Sequence, residues 1–267
     1  MTPFEAALLG LVQGLTEFLP ISSTAHLRIV PALIGRPDAG AAFTAVLQLG
    51  TLAAVLGYFL PELLRMLKAW FAPKPLANPE ARKLIYLVVG TFPVGVAGLA
   101  FKHHIEGPLR SLWVVATSLI LVACIMAVVE RRMSPTRSMA DTGLRDAVIV
   151  GFAQAFALIP GVSRSGITMM AAMAIGIRRE DAARYSFLLG VPAIAAAGLF
   201  ELPDVLGARD VSTPVLLVGL VVSAVSGYAS IAWLLRFLRT RSVMPFVIYR
   251  IALGLFLILG LMMGWLI

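Results

Sequence analysis

The sequence predicts an all-α polytopic membrane protein built as an inverted-topology repeat, with six transmembrane helices and two re-entrant helical hairpins. Three observations predict this class. Of the 267 residues, 60% are hydrophobic and only 13% are charged, and the mean hydropathy is +0.93. Six long apolar stretches are present, and the two halves of the chain repeat one pattern. A soluble enzyme is excluded, because soluble domains carry about 25% charged residues to cover their surface.

The six predicted spans follow from length and hydropathy. A helix that crosses the hydrocarbon core of a bilayer needs about 20 mainly apolar residues. Six segments meet this requirement: 43–60, 84–101, 111–129, 185–202, 214–235 and 246–267.

Two further apolar regions, 4–35 and 144–177, predict re-entrant hairpins. Each consists of a half-length apolar segment, a proline, a serine-rich turn and a second short apolar segment. Pro20 precedes the turn ISSTAH in the first region, and Pro160 precedes GVSRSG in the second. Non-helical backbone at membrane depth is tolerated only where protein buries it or where it lines a wet cavity. We therefore expect both polar turns to face the protein interior.

An internal repeat relates the two halves. GLVQ (10–13) is echoed by GFAQ (151–154), and AVLQLGTLAAVLGYF (45–59) aligns with SFLLGVPAIAAAGLF (186–200), at a constant offset of 140 to 141 residues. Chance similarity is the alternative interpretation, because small apolar residues dominate both halves.

The repeat predicts two units within one integral membrane domain, residues 1–130 and 144–267. Each contains one hairpin and three spans. Because three is an odd number, the second unit enters the membrane upside down, and the two polar turns can meet near the midplane, as in transporter folds.

The charge distribution supports six crossings. The net charge is +8, and Lys and Arg counts alternate between low and high in successive loops, with fifteen on one side and five on the other. Cytoplasmic loops collect basic residues, which places both termini on the non-cytoplasmic side. Attraction to membrane lipids is a second interpretation of the charge. A nucleic-acid partner is not expected, because no basic run is interleaved with aromatic residues in a polar domain.

Ionisable residues at membrane depth are costly and indicate function. Glu17, His26 and Arg164 are the clearest cases. The polar residues around them in the two hairpins are Gln13, Ser22, Ser23, Thr24, Ser163, Ser165 and Thr168.

The turn around Arg164 predicts an anion site. A guanidinium donates two parallel hydrogen bonds and keeps its proton, which suits phosphate, and the N-terminus of the following helix favours anions. An alternative is that Arg164 forms a structural ion pair with Glu17 and joins the two hairpins.

The first hairpin offers a cation site and a nucleophile. Gln13 and Glu17 lie four residues apart, on one helical face, and can hold Mg²⁺ or Ca²⁺ if substrate phosphates and water complete the shell. Ser23 and His26 lie three residues apart, so His26 can act as a base toward the Ser23 hydroxyl. Packing or helix capping is the alternative for both.

At these residues the sequence resembles the undecaprenyl-diphosphate phosphatase family, known as BacA or UppP and linked to bacitracin resistance. Its first signature appears as QGLTEFLPISSTAH (13–26) and its second, PGxSRSxxT, as PGVSRSGIT (160–168). The resemblance extends to FLLGVPA (187–193) and PFVIYR (245–250).

The resemblance implies a bacterial plasma-membrane (inner-membrane) enzyme that removes the terminal phosphate of undecaprenyl diphosphate and so recycles the lipid carrier of cell-wall synthesis. It implies a divalent cation and an active site that faces the periplasm. The implied roles are a metal and catalytic cluster at Glu17 and Gln13, a nucleophile at Ser23, and a base or alternative nucleophile at His26. Substrate binding is implied for Arg164, Ser163, Ser165 and Thr168, and Ser22 and Thr24 are added because they flank the same turns.

Two departures from the family pattern stand out. Gln13 replaces a second Glu that many members carry, which leaves one carboxylate for the metal, and Ala25 replaces a usual glycine. Direct attack by water near Glu17 is the rival mechanism. A transporter or flippase of a polyprenyl diphosphate is the competing function, and a homodimer is left open.

Overall fold

The computed structural model describes residues 1–207 and 212–264, with the side chain of Glu106 excepted. Over these residues the chain is helical, and the only β pairing is one isolated bridge between Arg137 and Ile177. Six helices are long and apolar enough to cross a membrane. The prediction of an all-α protein with six spans is therefore confirmed.

The six long helices overlap the predicted spans one for one. They are α3 (Ala41–Tyr58), α5 (Pro79–Ala100), α7 (Leu112–Arg132), α10 (Arg179–Gly207), α11 (Thr213–Leu238) and α12 (Met244–Met262). The largest difference is in α10, which has 29 residues and includes Pro192 and Pro203. Residues 265–267 of the predicted span 246–267 lie outside the described residues.

The two predicted hairpins form pairs of short helices. The first pair is α1 (Pro3–Glu17) and α2 (Ser23–Leu33), and the second is α8 (Leu144–Ala155) and α9 (Arg164–Ala174). At about 1.5 Å per residue, helices of 11 to 15 residues are shorter than a bilayer core of about 30 Å. The re-entrant path itself stays a prediction.

Two helices lie in the connections between spans. They are α4 (Leu60–Trp70) and α6 (Lys102–Glu106). In α4, Glu62 and Met66 are buried, while Leu60 and Leu64 are exposed. One face of α4 is thus buried, and the other exposes apolar side chains, which is typical of a helix at a membrane interface.

One short helix of each pair packs on a span from the other half of the chain. Helix α1 lies along α11, where Gly10 approaches Gly219, and α8 lies along α5, where Gly151 approaches Gly90. Helix α3 packs against α10, and α7 against α12. Helix α9, by contrast, packs mainly on α10 of its own half. The exchange of α1 and α8 between the halves is reciprocal, and the direction in which each half crosses the membrane stays a prediction.

Ion pairs agree with the predicted sides of the loops. Arg184 contacts Glu62, and Arg179 contacts Glu130, so that predicted cytoplasmic segments pair with each other. On the predicted opposite side, Arg110 contacts Asp38 at 2.6 Å. Lys102 and Glu201, also predicted to lie there, are 2.9 Å apart.

Candidate active site

The site forms where the two polar turns meet. Ser22 precedes α2 and Ser163 precedes α9, and both have positive φ, 73° and 74°. Their hydroxyls accept hydrogen bonds from the backbone N–H groups of Ala25 and Gly166, at 3.3 and 3.1 Å. The two turns therefore share one capping geometry at an offset of 141 residues. Positive φ is uncommon outside glycine, and such residues cluster at functional sites.

Glu17, the last residue of α1, joins the first turn to the second. One of its carboxylate oxygens, Oε1, accepts from Nη2 of Arg164 at 3.0 Å. Its backbone carbonyl accepts from the Ser165 hydroxyl, also at 3.0 Å. The predicted meeting of the two turns is observed here. The ion pair considered from the sequence is also present, so this contact has a structural role in addition to any chemical one.

The second carboxylate oxygen of Glu17 binds the polar side chains of its own hairpin. Oε2 accepts from Gln13 Nε2 at 2.9 Å and from the Ser23 hydroxyl at 2.6 Å. All three side chains are buried. Glu17 is therefore the shared acceptor for an amide, a hydroxyl and a guanidinium.

Arg164 is held from behind by α10. Its Nη1 donates to the Ser186 carbonyl at 3.0 Å, while its Nε is buried and has no hydrogen-bond partner. A Cβ on Gly190 would collide with the guanidinium, so glycine leaves the space that Arg164 occupies. The Thr168 hydroxyl contacts the Arg164 carbonyl at 2.7 Å and the Ser186 hydroxyl at 2.6 Å. Thr168, which is fully buried, thus links the backbone of Arg164 to Ser186 through these two contacts.

The other predicted hydroxyls lie in the turns themselves. Ser22 contacts Thr24 at 3.1 Å, and Ser163 contacts Ser165 at 3.2 Å, in each case between hydroxyl oxygens. Of these four, only Thr24 is partly exposed. The structure brings all of them to the site but uses their hydroxyls for capping and for contacts between the turns.

His26 is near the site but is not bonded to Ser23. Its Nδ1 lies 2.7 Å from the Ser22 carbonyl oxygen, and its Nε2 lies 2.6 Å from the Tyr249 hydroxyl. The Ser23 hydroxyl proton instead points to Glu17. The hydrogen bond from Ser23 to His26 that the spacing suggested is not formed in this structure.

Arg250 is a central residue that the sequence analysis missed. It lies in α12, is fully buried, and donates to five backbone carbonyls. The acceptors belong to both turns and to α7: Pro20, Gly161, Val162, Ser118 and Leu119. The sequence feature that could have identified Arg250 is its position within a predicted apolar span, because charges inside spans mark functional or organising sites.

The turn carbonyls reach Arg250 because Gly161 lies directly against α7. Gly161 has φ +96°, and a Cβ there would lie 2.6 Å from the Val115 carbonyl oxygen. Only glycine fits this close approach. The PG dipeptide of the second signature therefore brings the turn within reach of the guanidinium.

The oxygen donors suit a hard cation only in part. Among residues 1–207 and 212–264, no three His, Cys, Asp or Glu side chains come together as a metal cluster. Glu17 is the available carboxylate, and the buried Oε1 of Gln13 has no hydrogen-bond partner. A cation such as Mg²⁺ usually takes one or two protein carboxylates and completes its shell with water and substrate phosphates. The Gln13 and Glu17 oxygens fit such a partial site.

Together, the fold and the site define a multi-pass helical membrane protein with a buried carboxylate, guanidinium and hydroxyl cluster between two short helix pairs. The family model described as "Bacitracin resistance protein BacA" matches residues 6–256. The chain therefore belongs to the BacA family, as the resemblance of its two signatures indicated.

Relatives of this chain cover nearly its whole length. A protein of Myxococcus xanthus is 53% identical over 99% of this chain and 91% of its own. One from Nocardioides sp. is 48% identical over 94% and 93% of the two chains, and one from Chlorobium limicola is 44% identical over 100% and 99%. Each of these relatives is named undecaprenyl-diphosphatase.

Proposed function

We propose that this chain is an undecaprenyl-diphosphatase, a membrane hydrolase that converts undecaprenyl diphosphate to undecaprenyl phosphate and inorganic phosphate. Membership in the BacA family and the names of its relatives support this activity. The reaction recycles the lipid carrier for cell-wall synthesis, and the family name links it to bacitracin resistance.

One observation in the site carries the proposal beyond the names. The cluster contains a buried donor without an acceptor, Arg164 Nε, and a buried acceptor without a donor, Gln13 Oε1. Unpaired buried polar groups cost free energy, and a ligand bound at the site would satisfy both of these. A diphosphate supplies anionic oxygens for the first group, and a divalent cation pairs with the second. The two groups together fit a metal diphosphate.

The geometry supports Ser23 as the nucleophile and Glu17 as its base. The Ser23 hydroxyl already donates to Glu17 Oε2 at 2.6 Å. As the Ser23 oxygen attacks the terminal phosphorus, its proton passes to Glu17. The bond from that phosphorus to the bridging oxygen breaks, and undecaprenyl phosphate leaves with the electron pair. Water then hydrolyses the phosphoserine and releases inorganic phosphate.

The rival mechanism is direct attack by water held near Glu17, and His26 is an alternative nucleophile. Substitution of Ser23 by Ala separates these routes. If the covalent route is correct, S23A loses at least about 10³-fold in kcat, and rapid quenching of wild type traps phosphate on Ser23. Near-normal turnover in S23A would rule out the covalent route, and label trapped on His26 would identify the imidazole as the nucleophile.

Arg164 and a divalent cation neutralise charge in this proposal. Phosphoryl transfer depends mainly on positioning and on stabilisation of the equatorial oxygens. The guanidinium, held by Glu17 and by the Ser186 carbonyl, faces the diphosphate through its Nε. When bound at Gln13 and Glu17, Mg²⁺ or Ca²⁺ supplies Lewis-acid stabilisation of the phosphate charge.

We place the enzyme in the bacterial plasma (inner) membrane with its site open to the periplasm. Six membrane-crossing helices support a multi-pass protein. The excess of basic residues in the loops that contain Arg65, Arg145 and Arg239 supports their cytoplasmic location. A homodimer stays a prediction.

The experiment that tests the function measures phosphate release from undecaprenyl diphosphate in detergent, with Mg²⁺ or with EDTA. Wild type should release phosphate only with the metal, and Arg164→Ala should reduce the rate by at least about 10²-fold, because it removes a preorganised charge contact. Arg132→Ala, at an exposed position at the end of α7, is the matched control and should be unaffected. No release by folded wild type that still binds the lipid would favour the transporter or flippase.

A further inference from the structure

The hydrogen bonds of His26 define which of its ring nitrogens carries the proton. A backbone carbonyl only accepts, so the 2.7 Å contact to the Ser22 oxygen requires a proton on Nδ1. In the neutral ring, Nε2 is then the basic nitrogen. The Tyr249 hydroxyl, 2.6 Å away, donates to it. The imidazole is thus bonded at both nitrogens, with one tautomer selected.

The ring of Tyr249 also fixes the plane of the imidazole. The two rings are within 6° of parallel, with centroids 5.7 Å apart. His26 is 9% exposed, whereas Tyr249 is 42% exposed. Tyr249 is thus the more exposed of the two parallel rings.

The backbone next to Tyr249 is anchored to the catalytic turns. Its neighbour Arg250 donates to the carbonyls of Pro20 and Gly161, one from each turn. Tyr249 consequently keeps a fixed position relative to the first turn, where Ser22 and Ser23 lie. No other side chain described in the structure hydrogen-bonds the His26 ring.

We propose that Tyr249 is a positioning residue for the phosphatase reaction: its hydroxyl holds His26, the base or alternative nucleophile beside Ser23, in the Nδ1–H tautomer. Tyr249 acts through His26 and not by contact with the phosphates. This inference rests on the proposed function for its kinetic consequence, but the hydrogen bond itself is independent of the activity.

The test is Tyr249→Phe, which keeps the ring and removes the hydroxyl. We expect kcat to fall by about 10-fold or more, as for other residues that orient a catalytic histidine, while KM changes less than about twofold. In the ligand-free protein labelled with ¹⁵N-histidine, the Nε2 resonance of His26 should shift because its hydrogen bond is lost. His26→Gln identifies that resonance.

Tyr228→Phe is the matched control. Tyr228 is 49% exposed, lies in α11 and contacts Tyr58 instead of the site. It should leave both the kinetics and the His26 spectrum unchanged. A further control is Tyr249→Phe in the His26→Gln background, which should cost little, since the hydroxyl then has no imidazole to orient.

Three results would overturn the positioning role. These are unchanged kcat in Tyr249→Phe, a change confined to KM, and an equal loss of rate with and without His26. An unshifted His26 resonance would refute the hydrogen bond itself. Failure of wild type to release phosphate would instead refute the proposed function, and the spectrum would still report the hydrogen bond.

Discussion

Arg164 depends on the small size of one neighbour in α10. Its guanidinium occupies the space above Gly190, donates to the Ser186 carbonyl and pairs with Glu17. A displacement of about 1 Å is enough to spoil catalytic alignment. The residue that we propose to bind the diphosphate is therefore positioned by a glycine that has no reactive side chain.

Gly190→Ala should reduce activity without unfolding the protein. The added Cβ would collide with the guanidinium, so Arg164 must move, and we expect kcat/KM to fall by about 10²-fold. Gly95→Ala is the control, because a Cβ at this helical position of α5 meets nothing within 4 Å. Phosphate release measured at equal folded protein checks the prediction, and equal rates for the two variants would contradict it.

At the same scale, the sequence predicted Glu17 and Arg164 but not the α10 residues that position Arg164. Glu17 and Arg164 stand out because a charge at membrane depth is expensive. Gly190 and Ser186 carry no such signal, since a glycine and a backbone carbonyl become important only through the neighbour that tertiary packing provides. Tyr249 was missed for the same reason.

At the scale of elements, α12 ties the two short helix pairs together. Arg250 satisfies carbonyls in both turns and in α7, groups that helix ends and non-helical turns leave without intrahelical donors. These hydrogen bonds of Arg250 therefore stabilise the backbone of the two turns, which carries Ser23 and Arg164.

Arg250→Lys should lower both stability and activity although residue 250 touches no substrate. Lysine keeps the charge, but its single nitrogen cannot reach both turns and α7. Unpaired buried carbonyls cost about 1–3 kcal/mol each, so we expect the midpoint of thermal unfolding in detergent to fall by about 5 °C or more. Arg241→Lys, at an exposed position before α12, should change neither quantity. A fully stable and active R250K would show that the hydrogen bonds of Arg250 to the two turns are dispensable.

Hydropathy predicted the long helices well because length and composition alone define a span. It predicted the span in α10 but not the full length of that helix, which begins at Arg179 and continues beyond the predicted boundary at 202 to Gly207. Pro192 and Pro203 both lie within this helix. Because hydropathy is averaged over a window of residues, the single charge of Arg250 did not stand out among its hydrophobic neighbours.

At the scale of the whole molecule, the two halves are interlocked. Helix α1 packs on α11 of the second half, and α8 packs on α5 of the first half. A site shared between halves forms only when both are in place, and the predicted inverted repeat would insert them in opposite orientations. Topology and catalysis are therefore linked in this fold.

The predicted orientation can be measured with single cysteines in a Cys124→Ala background. In intact cells, a membrane-impermeant thiol reagent should label His104→Cys and should leave Lys74→Cys and Thr240→Cys unlabelled until the membrane is permeabilised. All three positions are exposed. Labelling of Lys74→Cys or Thr240→Cys in intact cells would reverse or reject the orientation inferred from loop charges.

The Glu17–Arg164 pair neutralises the two charges that join the turns. An anion that approaches Arg164 must compete with a carboxylate already 3.0 Å from its guanidinium. Inorganic phosphate brings only its own charge to that competition. A polyprenyl diphosphate also brings a long apolar chain, whose burial supplies binding energy remote from the reacting phosphorus. Under the proposed function, the ion pair would therefore favour lipid-borne phosphates over the free anions of the surrounding water.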